Sequence, residues 1–320
     1  DSTFIMIHDL DDNDDWEDET NWQKANPNLG ESITIDYLRS EYKKAINQPS
    51  KIPNFKTKHL NIWVDSAEAR IPDHIWMKNN AKPILENFAK YGCAAGMDLS
   101  STTDLSAYVL VSNPDDDGFI DVLPFIFCPE DTIHSRSKED RVPYDYWQNI
   151  KLLDYISTTK KDLKDYAYIT NQKILTATPG NQIDYDYIEK IILQTYWLHK
   201  VKWVDYDKYK STELVQKLTK QEVNMFIFPQ TINYYSFPTQ EFERQVYNGK
   251  LRHGGHPILR WMMANVDVKY GINEDVRYIK TEAKKRIDAI QALVMAYGAL
   301  LTQEEQTQES QYNNQTKAYI

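Results

Sequence analysis

The sequence predicts a mixed α/β fold. Three antiparallel strands joined by hairpins come first, and parallel strands reached through helical crossovers follow. Helices flank the sheet, and a mainly helical segment precedes it. Three observations predict this. Apolar runs recur at 93–99, 105–112 and 119–128, separated by short polar turns. Beyond residue 180, helical periodicity alternates with two further apolar runs, 201–207 and 224–229, the pattern of right-handed crossovers. The 320 residues, 41% hydrophobic, suffice for one large core or two modest ones.

The N-terminal part has no evident chemistry. Its acidic run, HDLDDNDDWEDET at 8–20, reads as a solvated loop. As a calcium loop it fails, because Asp14 stands where Gly is required and Thr20 where Glu is required. Residues 35–46 form an amphipathic helix. In the sheet region, NPDDDG at 113–118 makes a hairpin turn, and Pro124 marks the third strand as an edge. Asp186 and Glu189 have capping-box spacing at the start of the next helix. Helices at 211–220, 240–247 and 256–266 follow, then a hairpin across DVKYGINEDVRYIK. The last helix, 284–301, is apolar almost all round and must be buried on most sides. Residues 303–320 are Gln/Glu-rich without apolar periodicity, which predicts a disordered tail. The expected domains are a helical segment at 1–88 and the α/β domain at 89–302. The strand order is that of the ribonuclease H-like fold.

The formal net charge of -10 argues against a protein that coats nucleic acid. It leaves room for an enzyme that holds cations between its own carboxylates and the phosphates it cuts. Cys93 and Cys128 lie in apolar runs without CxxC spacing, so neither a disulfide framework nor zinc is indicated. That fits a reducing, cytoplasmic setting. No stretch approaches 18 apolar residues, and no signal peptide is present. A chain starting at Asp1 rather than Met reads as a fragment or a processed product. Neither a phosphate-binding loop nor a G-x-S-x-G elbow occurs.

The chemistry points to carboxylates. Asp98 and Asp207 end two strands that this topology places side by side, about 4.8 Å apart. Asp288 opens the nearly all-apolar last helix, a costly place for a charge without a partner or a metal. Singly, each acid has an ordinary reading as a turn former or a helix-dipole residue. Together they mark a site for two divalent ions, which must lie roughly 3.5–4 Å apart. Asp205 should face the same way as Asp207 and is a reserve ligand. Asp104 reads as a turn residue. Lys284, Lys285 and Arg286 are candidates for phosphate contact. In KLRHGGHP, two histidines flank paired glycines: a DNA- or metal-proximal role, for His253 before His256, stands beside a plain loop role.

GMDLSSTTDLSAYVLV, VDYDKYKSTELVQKL, GKLRHGGHPILRWMMANV and KRIDAIQALVMAYG occur in this order. So ordered, they resemble the large terminase subunit of tailed double-stranded-DNA phages. DDWEDETNWQKANPNLG and FKTKHLNIWV resemble the segment joining that family's ATPase to its nuclease. The resemblance implies a nuclease cutting concatemeric phage DNA during packaging with two Mg²⁺ or Mn²⁺ ions. It places the metal-binding acids at Asp98, Asp207 and Asp288. Implied partners are double-stranded DNA, the capsid portal protein and the small terminase subunit. The implied protein is monomeric alone and a ring on the portal, in the host cytoplasm and off the membrane. The ATPase motor motifs are missing from this sequence. His256 stands where the family pattern has Asn, and Ala289 where it has Gly. Two other readings stay open: a different ribonuclease H-like enzyme (resolvase, transposase or exonuclease), and a non-catalytic module docking a motor on the portal.

Overall fold

The computed structural model describes residues 6–11, 14–47, 52–62, 70–100, 105–160, 163–208, 211–271, 275–282 and 284–317. Asp104 lies outside them. The chain forms two compact units, Asp1–Pro72 and Asp73–Ile320.

The first unit is helical: Trp22–Ala25, Ile35–Asn47 and Ile52–Leu60. Its core gathers Leu10, Trp22, Leu38, Phe55 and Leu60. Among the described residues of the acidic run, the acids lie at or near the surface and satisfy local groups. Asp18 accepts from the Thr20 amide, and Lys24 pairs with Asp11 and Asp14 at 2.7 Å each.

The second unit is built on strands β1 (Cys93–Asp98), β2 (Ser106–Ser112), β3 (Ile120–Pro129), β4 (Thr176–Thr178), β5 (Val201–Tyr206), β6 (Met225–Ile227) and β7 (Leu251–Arg252). They form one sheet in the order β4-β3-β2-β1-β5-β6, with β7 also on β3. The β1-β2 and β2-β3 pairs are antiparallel; β1-β5 and β5-β6 are parallel. This is the ribonuclease H-like arrangement expected from the strand order. A separate hairpin joins β8 (Asp267–Tyr270) and β9 (Val276–Ile279). β2 and β3 are buried along their whole length, because helices and loops cover both faces. Hence their sequences read as continuous apolar runs rather than alternation.

Several expectations need correction. β3 is not an edge strand. Its outer side pairs with β7 at Ile120 and Asp121 and with β4 at Phe127–Pro129, and Pro124 falls between these stretches, where a missing donor does least harm. Asp184, not Asp186, caps the helix Tyr185–His199: its extended backbone lets its carboxylate accept from the amides of Asp186 and Tyr187. The helix expected at 240–247 runs Ile232–Tyr247 across Pro238. Burial of Tyr235, Pro238 and Phe242 compensates for the bond the proline removes. Residues 73–88 belong with the second unit rather than with a preceding segment. Trp76 is buried and stacks on His253 at 4.2 Å, and Asn79 bonds to Val246 and Leu251 at 3.0 Å each. The last helix begins at Asp288 and stays helical to Lys317. Past Gly298 its sequence carries no Gly or Pro and is rich in Gln and Glu, which favour helix over a disordered tail.

Candidate active site

β1 and β5 run parallel in the register Gly96↔Asp205 and Met97↔Tyr206. Asp98 closes β1 and Asp207 follows β5, so continuing the register sets the two acids side by side at the ends of neighbouring strands, with backbones about 4.8 Å apart. Pleating puts Gly96 and Asp98 on one face, and Asp205 and Asp207 on the same one. The last helix covers this face at Gly96. A Cβ there would stand 1.9 Å from the Ala292 carbonyl oxygen and 2.5 Å from the Ala296 amide nitrogen. Only hydrogen at this position lets helix and strand backbones meet so closely. Asp288 lies one turn before Ala292, which brings it over the strand ends.

The three acids line one open cavity of ≈ 300 Å³, together with Gln230, Tyr235, Arg277, Lys280, Gln291 and Met295. The Tyr235 hydroxyl is pushed well above its usual range by burial first, then by the charges of Asp98 and Asp207, against an opposing pull from Arg277. The donor set is all carboxylate, the hard oxygen chemistry that suits Mg²⁺ and Mn²⁺. Among the described residues no three His, Cys, Asp or Glu side chains close around a single ion. Mg²⁺ needs no such cage: one or two carboxylates suffice, with waters and substrate phosphate completing its octahedron. The residues therefore fit a divalent ion.

Asp205 is a correction. It shares the face of Asp207 but sits two residues, about 7 Å, back from the strand end, opposite Gly96 and outside the cavity lining. Burial pushes its carboxyl up to about 7.

The candidate phosphate contacts divide. Lys284 is exposed, and half-buried Lys285 reaches Asp267 at 3.3 Å. Arg286 is buried and forks onto Asp140, Nε to Oδ2 at 3.0 Å and Nη2 to Oδ1 at 3.1 Å, so it is a structural ion pair rather than a DNA contact. Asp140 is only 1% exposed. Arg286→Ala leaves that carboxylate with the Tyr144 hydroxyl at 2.7 Å but without its cation, and is expected to cost about 3–5 kcal/mol. Urea unfolding measures it, and a loss under 1 kcal/mol would return Arg286 to the surface.

His253 is also structural. It is buried and holds a single tautomer, its Nδ1 accepting from the Gly255 amide at 3.2 Å and its Nε2–H donating to the Trp76 carbonyl at 3.0 Å. His256 caps the helix Pro257–Ala264, its Nδ1 accepting from the Leu259 amide at 3.4 Å. That is the bond an Asn side chain would make, so the departure from the family pattern keeps its physical role. Burial pulls the two imidazoles down to about 4 and about 3. Their folded pKa values are depressed below the unfolded value, so the folded state resists protonation. Stability present above pH 6.5 is expected to fall as the pH drops toward 4 and 3, by up to about 1.4 kcal/mol per unit for each group. His256→Asn should flatten that slope in pH-dependent thermal unfolding; an unchanged slope would remove His256 from it.

Sequence reasoning missed Gln230, Tyr235, Arg277, Lys280 and Gln291. Two signals were present. Gln291 and Met295 follow Asp288 at i+3 and i+7, on one helix face. In DVRYIK, Arg277 and Ile279 alternate with buried Val276 and Tyr278.

A mixed sheet that presents acids from two parallel strand ends and a crossing helix to one open cavity defines a ribonuclease H-like domain with a carboxylate site. The chain belongs to the family described as the terminase large subunit, endonuclease domain, which it matches over residues 1–154 and 149–304. It is similar to protein YmfN of Escherichia coli strain K12, 30% identical over 315 residues, covering 96% of this chain and 65% of that protein. It is similar also to the terminase large subunit of Enterobacteria phage HK97, 27% identical over 280 residues, covering 87% and 50%. The crystal structure of the HK97 bacteriophage large terminase superposes with a TM-score of 0.59 at 26% identity, over 92% of this chain and 56% of that one. The chain thus spans between 50% and 65% of the length of these relatives. Among the described residues, no helix is long and apolar enough to cross a membrane.

Proposed function

We propose that this chain is a divalent-metal-dependent endonuclease that cuts concatemeric double-stranded viral DNA during genome packaging. The observation that carries the reading is that Asp98, Asp207 and Asp288, far apart in sequence, line one cavity at the ends of parallel strands. Family membership supports the substrate. In this reading the three acids hold two Mg²⁺ or Mn²⁺ ions. Ions so bound would supply activation of the attacking water and charge stabilisation at the leaving oxygen.

The chain's own residues then have defined tasks. Asp98 and Asp207 present their charges from rigid strand ends, so little reorganisation accompanies the reaction. Asp288 closes the site from the helix. Tyr235, held protonated by its surroundings, walls the cavity without adding charge. The portal protein and the small terminase subunit are the proposed partners, a ring on the portal the proposed working assembly, and the host cytoplasm the proposed setting.

The test is incubation of the purified chain with circular, linear, branched and single-stranded DNA, in Mn²⁺ and in EDTA. Cleavage of circular and linear duplex alike, abolished by EDTA, is the expected result. Preference for branched DNA would favour a resolvase, and no cleavage in Mn²⁺ would leave a docking module.

A further inference from the structure

Lys269 on β8 and Arg277 on β9 are directly opposite in the hairpin register. A directly opposed antiparallel pair brings Cβ atoms within about 5 Å of each other on one face. Two cations so placed repel, and a hairpin gains nothing from them unless an anion lies across both. Two acids flank the pair on that face, each two residues away: Asp267 is engaged by the Thr281 hydroxyl and by Lys285 at 3.3 Å, and Asp275 packs against Gly271 at the turn end of the hairpin.

Arg277 is also pre-set for a ligand. Its guanidinium donates through Nη1 to the Gln230 carbonyl and through Nη2 to Gln230 Oε1 at 3.2 Å, and lies 4.9 Å over the Tyr235 ring. These neutral partners fix the plane of the group without cancelling its charge. Its Nε–H is buried and has no hydrogen-bond partner among the described residues. The strand that carries it is anchored on both sides. The Val276 amide donates to Ser236 Oγ at 3.1 Å, Tyr278 donates to Glu243 at 2.8 Å, and Gln291 donates to the Tyr278 carbonyl at 2.9 Å. Arg277 lines the cavity of the three acids. Lys269, one strand outward, is exposed.

We infer that Arg277 and Lys269 form a phosphate track, with Arg277 gripping a backbone phosphate at the mouth of the acidic cavity and Lys269 the next phosphate outward. The inference rests on the nuclease reading and deepens it. Phosphates of the strand that lie outside the reach of the metal ions need cations of the protein's own, and the hairpin supplies two on one face beside the cavity. Neither residue moves a proton or replaces a metal ligand. Their task is to hold the strand in register.

The test uses Arg277→Gln, Arg277→Lys and Lys269→Gln in the purified chain. Binding to a labelled 30-base-pair duplex in EDTA is followed by fluorescence anisotropy across salt concentrations, and plasmid cleavage in Mn²⁺ gives KM and kcat. Each Gln variant is expected to lower the salt slope of log K by about 0.9, the value for one lost phosphate contact. KM should rise about tenfold, as for the loss of one charge-assisted hydrogen bond, with kcat changed less than twofold. Arg277→Lys should keep the salt slope. Lys269→Gln should melt at or above the wild-type temperature, since a repulsive pair is relieved. Unchanged slope and KM in both Gln variants, while the wild type cuts DNA, overturns the track and leaves the nuclease standing. A fall in kcat alone overturns it too. A wild-type chain that neither binds nor cuts duplex overturns both readings.

Discussion

Asp98→Asn is expected to leave plasmid DNA uncut in Mn²⁺, a loss of about a thousandfold or more. The amide keeps the shape of the carboxylate but not its charge, and several kcal/mol of transition-state stabilisation go with the ion it would hold. The same applies to Asp207→Asn, its partner on the adjacent strand. Thermal stability should be unchanged or slightly higher, because one of three acids around a shared cavity has been neutralised. Loss of cutting together with loss of folding would make Asp98 a structural residue. An Asp98→Asn protein that still linearises plasmid would remove it from the site altogether.

Gly96→Ala is the second large effect. The added Cβ would lie 1.9 Å from the Ala292 carbonyl oxygen, and both atoms belong to backbone that no rotamer change can move aside. The helix must lift from β1, at a cost of about 1–3 kcal/mol or more. Asp288, one turn away, moves with it, so cleavage should fall much further than the loss of folded protein explains. Measuring activity at a temperature where the variant is fully folded separates the two. Full activity there would show that the position of Asp288 tolerates displacement of the helix.

Much of this architecture was legible. The hairpin-linked strands and the crossovers write themselves as long apolar runs between turn residues, and the acids at 98, 207 and 288 stand at element ends where topology alone brings them together. What stayed hidden depends on tertiary context. The strands β4 and β7 are three and two residues long, too short for any periodicity, and with them went the true position of β3 in the sheet. Arg286 reads as one of three basic residues in a row, and only the fold brings Asp140 to it. The helix expected at 240–247 starts earlier, at Ile232, because apolar packing around Pro238 carries it across the proline. Alternation gave the face of Asp205 but not its depth, and the paired glycines beside His253 gave no sign of its burial against Trp76.

The close contact at Gly96 also has a meaning in time. The helix that carries Asp288 is synthesised after every strand of the sheet, and Asp98 is on the first of those strands. A growing chain therefore has its strands ready long before the third acid reaches them. Under the proposed function, the polypeptide is harmless to DNA while its strands emerge and becomes able to cut only when the helix carrying Asp288 settles onto the sheet. Completion of folding and the onset of chemistry are then the same event.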